Sequence, residues 1–476
     1  MKLITLAPDM LLMLQKLNEQ GCQCLIMGGA VRDAKLGIEP KDIDIEVYGI
    51  SYENLLKFLS NYGKVDLVGK KFGVIVFNPF NEAVKYDFSI PRTENKMGAG
   101  HQGFDITLNS NLTIKEASIR RDFTMNSIAY DPIEDKIYDY FGGVADIENK
   151  IIRHTSDKFN EDYLRIFRAM QFQARFGFSI HSDTIALMKQ MLTENSDEFH
   201  NLSKERLFEE WIKWAEKGVN HSLIFKFMRD TGLINFHPEL KALKETPQDA
   251  IYHPEGDVEI HTTLCLKHMD EIIVRENISG NEKIILVMSV LLHDIAKPHT
   301  TKEEMKNGRM TITSNGHEEM GKDVAGVFLL NIGFNQKLIE PIGNIIGNHL
   351  AGVHISHINE WKSKTKFVKK LSRKLTPATI QQLIHVMEAD TNGRGAYWFK
   401  DPIGAKDIMD IGSELVIMTK EYDYILMGRH LIEAGLKPSI KFGAILKQAQ
   451  EAQENGEFSD IEGAKRWLHE MLSVKN

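Results

Sequence analysis

Met27-Gly28-Gly29-Ala30-Val31-Arg32-Asp33, followed by Asp42-Ile43-Asp44, is the stretch on which the reading of this chain turns. The apolar residues Cys24-Leu25-Ile26-Met27 that lead into it read as a short buried strand. Gly28 and Gly29 carry no Cβ, so the backbone there can come close to a ligand. Their amides, at a helix start, can line an anion pocket. Asp42 and Asp44 alternate with Ile43 and Ile45, so on a strand both carboxylates point to one face. Two carboxylates on one face are what two Mg²⁺ ions need while holding a triphosphate.

Further along, Val84-Lys85-Tyr86-Asp87-Phe88-Ser89-Ile90 alternates again and predicts a strand. A two-ion site needs a third acid, and Asp87 is the candidate, because Tyr86 and Phe88 would face the other way. Asn95 to Phe104 contains Gly98, Gly100 and Gly103 and is expected to be mobile. In Ser118 to Asp131, Arg121 offers planar donors to phosphate, and Asp122 can accept from a ribose hydroxyl. Asn126 is placed one helical turn beyond Asp122.

Asn160 to Ala169 reads as the opening of a helix with acidic residues in its first turn. Leu164, Phe167 and Phe172 make its buried stripe, leaving Asp162 and Arg165 on one face. Spacing alone reads these two as a surface ion pair. Arg168 and Arg175 are candidates to reach phosphate.

A second constellation consists of His261, His293, Asp294, His317, His349 and Asp390. Met288 to Lys297 would place the adjacent His293-Asp294 on an apolar helix, where burying both is costly unless they bind something. Imidazoles with carboxylates suit Mn²⁺, Fe²⁺, Co²⁺ or Ni²⁺, while Mg²⁺ wants more oxygen. His253, His268, His299, His354 and His357 read as ordinary polar residues.

The 476 residues exceed one domain. Charged residues at 26% and hydrophobic ones at 42% are ordinary for a soluble globular chain. No apolar run approaches the roughly 20 residues of a membrane span. The start, Met1 to Asp9, lacks a secretory core, and Cys22, Cys24 and Cys265 give no disulfide framework, so a cytoplasmic location is expected. A net charge of −8 argues against a chain that coats nucleic acid indiscriminately. Lys366, Lys369, Lys370 and Arg373 nevertheless crowd one segment, which reads either as a solvated helix face or as a phosphate-contacting one.

Taken together, Gly28-Gly29-x-Val31-Arg32-Asp33 through Asp42-x-Asp44 resembles the polymerase-β type of nucleotidyltransferase. Within it, the string is similar to class II tRNA nucleotidyltransferases and their bacterial poly(A) polymerase relatives. The resemblance implies an α+β fold: a nucleotidyltransferase α/β head over residues 1–155, then an all-helical neck over 156–240. A metal-dependent phosphohydrolase body of the HD type would span 241–395 and a helical tail 396–476. It implies catalytic Asp42, Asp44 and Asp87, with Mg²⁺ on the first two. Nucleotide binding would fall to Gly28, Gly29, Arg32, Asp33, Arg121, Asp122, Asn126 and Arg168. Asp162 and Arg165 would read the Watson–Crick edge of the incoming base, and the glycine-rich loop would help switch from C to A addition. CTP, ATP and the acceptor end of tRNA are the implied partners.

His261, His293, Asp294 and Asp390 resemble the core ligands of the HD superfamily, and His317 with His349 would allow a second ion. Glu388-Ala389-Asp390-x-x-Gly393-Arg394 is similar to tRNA nucleotidyltransferases that carry this domain, which are associated with phosphatase and 2′,3′-cyclic phosphodiesterase activity. Alternatives left open are a poly(A) polymerase, a CC- or A-adding specialist, and a phosphohydrolase whose head serves only to bind RNA.

Overall fold

A computed structural model describes residues 2–67, 73–80, 84–96, 104–194, 196–306, 308–395 and 402–473. The glycine-rich loop expected between Asn95 and Phe104 lies, at 97–103, outside the described residues. The chain forms two compact units, residues 1–236 and 237–476.

The first unit is built on a mixed seven-stranded sheet, ordered β3-β4-β5-β2-β1-β8-β9. The strands that position the site are β1 (Gln23–Met27), β2 (Ile43–Tyr48), β3 (Gly63–Asp66), β4 (Val74–Pro79) and β5 (Tyr86–Ser89). A side hairpin of β6 (Arg92–Lys96) and β7 (Phe104–Leu108) precedes β8 (Ala129–Asp131) and β9 (Lys136–Tyr138). As the apolar run predicts, four of the five β1 residues are buried. β1 lies antiparallel between β2 and β8, and β2 runs parallel to β5. In β5, Tyr86 and Phe88 are buried and alternate with Asp87 and Ser89, as expected of a strand with one face on the core.

Helices Leu164–Phe176, Ser182–Glu194, Lys204–Lys217 and Ile224–Thr231 complete this unit around buried Phe167, Trp211 and Trp214. The first begins four residues later than the sequence suggests. Asp157–Glu161 is a 3₁₀ turn, and Asp162 is extended at φ −133°, ψ 108°. Asp162 Oδ1 accepts the Leu164 amide at 3.1 Å, so the aspartate caps the helix instead of joining it.

In the second unit, helix Val258–Arg275 packs on Gly280–Leu292 and Ile380–Asn392, and His317–Asn331 packs on Gln336–Ile346. A hairpin pairs Lys302–Lys306 with Arg309–Thr313. Gly280–Leu292 stops one residue before the expected His-Asp pair, so His293 caps it and Asp294 sits in the following turn. Burial is as expected, at 1% and 2% exposure. The end of the chain forms helices Gly428–Glu433, Lys441–Glu454 and Ile461–Ser473 around Leu431, Ala449, Phe458 and Leu468. Among the described residues no helix is long and apolar enough to cross a membrane.

Candidate functional site

Asp44 and Asp87 are direct partners in the parallel β2–β5 register. Asp42 sits in the exposed bend just ahead of β2, not on the strand itself. Solvent still reaches the Asp44 side chain, yet the protein around it raises its pKa, chiefly through lost solvation. Asp87, Asp42 and Glu46 add to that rise, and Arg121 opposes it. Asp87 Oδ1 is buried with no hydrogen-bond partner. An aspartate that resists ionisation, beside a carboxylate with an orphaned oxygen, has the chemistry of a divalent-cation seat.

The Gly-Gly turn closes over one end of this face. Gly28 has φ +62°, and a Cβ there would lie 2.8 Å from Arg121 Nη1, so the glycine leaves room for that guanidinium. Gly29 opens helix Gly29–Lys35. Arg32 is buried against the rings of Phe172 and Phe176, with its Cζ 5.1 Å from each centroid. Its Nη1 donates to Asn126 Oδ1 at 2.6 Å, and its Nη2 to Asp33 Oδ1 at 2.7 Å. Arg175 donates to the other Asp33 oxygen at 3.1 Å. Asn126 in turn donates to Asp122 Oδ1 at 3.0 Å, and Arg168 Nε donates to Asp122 Oδ2 at 2.6 Å. Burial by itself would raise the Asp122 pKa; Arg168, Asn126 and Arg165 outweigh it and hold the carboxyl below its usual range. The structure thus gathers Arg32, Asp33, Asp122, Asn126 and Arg168 into one polar chain. The Asp122–Asn126 contact exists although the intervening residues are the extended Phe123, bridged to His154, and a 3₁₀ segment, not an α-helix.

Asp162 and Arg165 do not pair with each other. Asp162 Oδ2 accepts from Arg206 Nη2 at 2.7 Å. Arg165 donates to the carbonyls of Lys158 and Arg120, both at 2.6 Å. The surface ion pair expected from their spacing is absent because each finds a better-placed partner. On helix Trp361–Leu375, Arg373 is likewise no free cation: its Nε donates to buried Glu454 at 2.8 Å. Lys369 lies over the Tyr422 ring at 4.9 Å. Lys366 and Lys370 are exposed.

In the second unit six predicted residues converge. His317 Nδ1 contacts the Ser314 carbonyl at 2.6 Å, and His349 Nδ1 the Ile346 carbonyl at 2.7 Å. Those bonds put the proton on Nδ1 and leave each Nε2 a lone pair. Yet the two Nε2 atoms stand only 3.2 Å apart. Two facing lone pairs repel unless something positive lies between them. Burial, then His317 and His293, push His349 down to a pKa of about 3, which keeps it neutral. His293 is held the same way by the Val290 carbonyl at 2.8 Å, with its Nε2 3.4 Å from that of His261.

Asp294 faces both halves: Oδ2 is 3.2 Å from His293 Nε2 and Oδ1 is 3.3 Å from His317 Nε2. Neither oxygen accepts a well-aligned hydrogen bond, although Lys297 Nζ comes within 2.7 Å. His261 Nε2 meets Asp390 Oδ1 at 3.0 Å. Burial disfavours a charge on His261, but Cys265, Asp390 and Glu255 raise its pKa well above the ordinary value. A proton there stands where a cation would otherwise sit. Three donor sets have the spacing for a metal ion: the first of His261, Cys265, His293 and Asp390, another of Asp294, His317 and His349, and a third of His253, Glu255 and His261. Asp294, His317, His349 and Asp390 border a cavity of about 730 Å³ that is also lined by Lys297, Arg309 and Arg394.

Several residues of these sites escaped the sequence reading. Glu46 is fully buried on the Asp44 face and accepts from Tyr48 at 2.8 Å; its alternation with Asp42 and Asp44 was a usable signal. Glu255 contacts the Nδ1 atoms of both His253 and His261, at 2.9 and 2.7 Å, so His253 is no ordinary surface histidine. Nothing in the spacing marks Glu255, because it acts from a loop. Cys265, one turn after His261, was markable by its i+4 position.

Known proteins are similar to this chain in sequence and in fold. Residues 24–153 match the family described as Poly A polymerase head domain, and residues 177–244 match the probable RNA and SrmB-binding site of polymerase A. The multifunctional CCA protein of Pasteurella multocida is 32% identical over 383 residues, covering 78% of this chain and 84% of that one. The fold is similar to that of the Bacillus stearothermophilus CCA-adding enzyme in complex with CTP, with TM-score 0.64 and 21% identity over 99% of each chain. It is also similar to the Thermotoga maritima CCA-adding enzyme complexed with tRNA, with TM-score 0.54 and 21% identity over 99% of this chain and 97% of that one.

Proposed function

The chain belongs to the family of multifunctional CCA proteins, class II CCA-adding enzymes, and from that premise we propose that it adds C, C and A to the 3′ end of tRNA from CTP and ATP. The observation that carries this reading is the Asp44–Asp87 register beside the Gly28 turn and Arg121. Asp42, Asp44 and Asp87 would hold Mg²⁺, which when bound neutralises the triphosphate and lowers the pKa of the attacking hydroxyl. The terminal ribose 3′-OH attacks the α-phosphate in line and pyrophosphate leaves. Gly28, Gly29, Arg32 and Arg121 orient the phosphates, Asp122 and Asn126 hold the ribose, and Arg168 braces Asp122. Asp162 and Arg165 read the base, once Asp162 exchanges Arg206 for the exocyclic amine of C or A. The four-part division at 155, 240 and 395 is the functional one we adopt, and the work is placed in the cytoplasm.

The test is incubation with a tRNA lacking its 3′ end, resolved nucleotide by nucleotide, with CTP plus ATP and with ATP alone. Ordered C, C, A addition is expected. A run of A from ATP alone would identify a poly(A) polymerase, and a halt after C or at A a specialist. Asp44→Asn and Asp87→Asn should each cost on the order of 10³-fold in rate.

A second activity is proposed for the other unit, on the facing lone pairs of His317 and His349. His261, His293, Asp294, His317, His349 and Asp390 would hold one or two ions of Mn²⁺, Ni²⁺, Co²⁺, Fe²⁺ or Mg²⁺, which when bound supply a hydroxide nucleophile at neutral pH. Lys297 and Arg394, lining the cavity, orient a phosphate ester. His293→Ala with Asp294→Ala should abolish hydrolysis of phosphomonoesters and 2′,3′-cyclic phosphates and leave CCA addition intact. Hydrolysis that persists in a folded double variant sinks this assignment.

A further inference from the structure

In the first donor set one atom has no role in the hydrolase reading: Sγ of Cys265. The residue is fully buried on helix Val258–Arg275, one turn after His261. Its sulfur lies 3.4 Å from His261 Nε2, the atom that also meets Asp390 and His293. The ligand atoms of His261, Cys265, His293 and Asp390 all lie within 4.8 Å of one another. A tetrahedral ion with arms of about 2.0–2.3 Å has ligand-to-ligand edges of roughly 3.3–3.8 Å. The edges present are 3.4 Å for His261 to Cys265, 3.4 Å for His261 to His293 and 3.0 Å for His261 to Asp390. Gly393 leaves room for the sulfur, since a Cβ there would come within 2.3 Å of Sγ. Independently, the Asp294 carboxylate, 2% exposed, aims its unsatisfied Oδ2 into the same centre, 3.2 Å from His293 Nε2.

We infer that Cys265 is a thiolate ligand of the first ion at this centre, giving that position a soft donor and a preference for a thiophilic transition ion over Mg²⁺. The inference rests on the metal-centre reading above. Entry of the ion replaces the S–H bond by a sulfur–metal bond, and the thiol proton leaves to solvent. A buried cysteine is otherwise a small apolar filler, but a filler has no need to sit one coordination edge, 3.4 Å, from the ligating nitrogen of His261. Soft sulfur favours Zn²⁺, Co²⁺ and Ni²⁺, whereas a hard oxygen set favours Mg²⁺ and Mn²⁺.

The probe is Co²⁺ titrated into the full chain. Wild type should show a sulfur-to-cobalt charge-transfer band in the near ultraviolet that saturates with binding. The band should vanish in Cys265→Ser and survive in a Cys22→Ser, Cys24→Ser double variant. By calorimetry Cys265→Ser should bind Zn²⁺ about 10- to 100-fold more weakly, with Mg²⁺ affinity changed by less than about threefold. X-ray absorption of the cobalt-loaded wild type should show one sulfur at about 2.3 Å, a readout that stands even if Cys265→Ser fails to fold. If Co²⁺ binds wild type and is lost in His293→Ala, but neither band nor sulfur scatterer is seen, the thiolate assignment is wrong while the metal centre stands. If Co²⁺ does not bind, or binding ignores His293→Ala, the metal centre itself falls and the thiolate with it.

Discussion

Gly28→Ala should unfold the first unit more easily than any other glycine replacement in the turn. Gly28 has φ +62° and ψ −112°, outside the small left-handed region that non-glycine residues visit. Holding alanine there costs about 1–3 kcal/mol. The new Cβ would also meet Arg121 Nη1 at 2.8 Å and the Asn126 carbonyl at 3.1 Å. The guanidinium can swing away cheaply, but the carbonyl is backbone and must shift by a few tenths of an ångström. Together these make about 2–4 kcal/mol, a large part of a typical folding free energy of about 5–15 kcal/mol. Gly29→Ala is the internal control. It stands at the first helical position, its nearest neighbour would be Arg32 Nη2 at an ordinary 3.7 Å, and its φ is not positive. Alanine there should be neutral or stabilising by about 0.5–1 kcal/mol. The assay is urea unfolding followed by amide hydrogen exchange in residues 1–236, with labelled CTP incorporation in parallel. Equal destabilisation by the two variants, or none by Gly28→Ala, would refute the steric reasoning. Loss of CTP incorporation by Gly29→Ala at full stability would show instead that the second glycine serves close approach of the nucleotide.

Asp162→Ala and Arg165→Ala should raise misincorporation of UTP and GTP by about 5- to 150-fold, measured as competing extension products; unchanged discrimination in both would leave them as a cap and a carbonyl clamp. Arg373→Met strands buried Glu454, which keeps only the Tyr424 hydroxyl bond at 2.7 Å, and should cost about 2–3 kcal/mol in urea unfolding of residues 237–476. Lys366→Ala and Lys370→Ala should leave stability unchanged and each reduce the salt slope of tRNA binding by about one. His237 is buried, and burial lowers its pKa from 6.5 to about 4. A depressed folded value means the contribution is complete above pH 6.5 and is lost as pH falls from 6.5 towards 4, by up to about 3 kcal/mol. His237→Leu should flatten that part of the stability curve, and an unchanged slope would show that other groups set it.

What the sequence gives away and what it hides follow from range. The Gly-Gly turn, Asp44 and Asp87 are readable because strand alternation is local, and Tyr86 and Phe88 declare the buried face on either side of Asp87. The histidines of the second unit are readable as residue types, yet their tautomers are not, since those depend on the carbonyls of Val290, Ser314 and Ile346 at helix ends. The end of Gly280–Leu292 was misplaced because apolar residues run past it through Ile295 and Ala296, which are buried in the turn rather than in the helix. Asp162 and Arg165 satisfied a helical spacing on paper. Their real partners, Arg206 and the Arg120 and Lys158 carbonyls, come from other segments that periodicity in one window cannot see.

Apart from Arg121, the arginines around the Gly-Gly turn are already matched to carboxylates of this chain: Arg32 and Arg175 to Asp33, and Arg168 to Asp122. A triphosphate that engages them does not meet bare cations. It displaces an internal anion, much as a salt is swapped on an exchange resin. Few small ions are then shed into solution when the nucleotide arrives, so its affinity should depend on ionic strength far less steeply than the number of arginines suggests. The freed carboxylate stays nearby to reclaim its arginine when pyrophosphate departs. For a site that must empty and refill for each nucleotide it adds, that returning counter-charge works against product lingering.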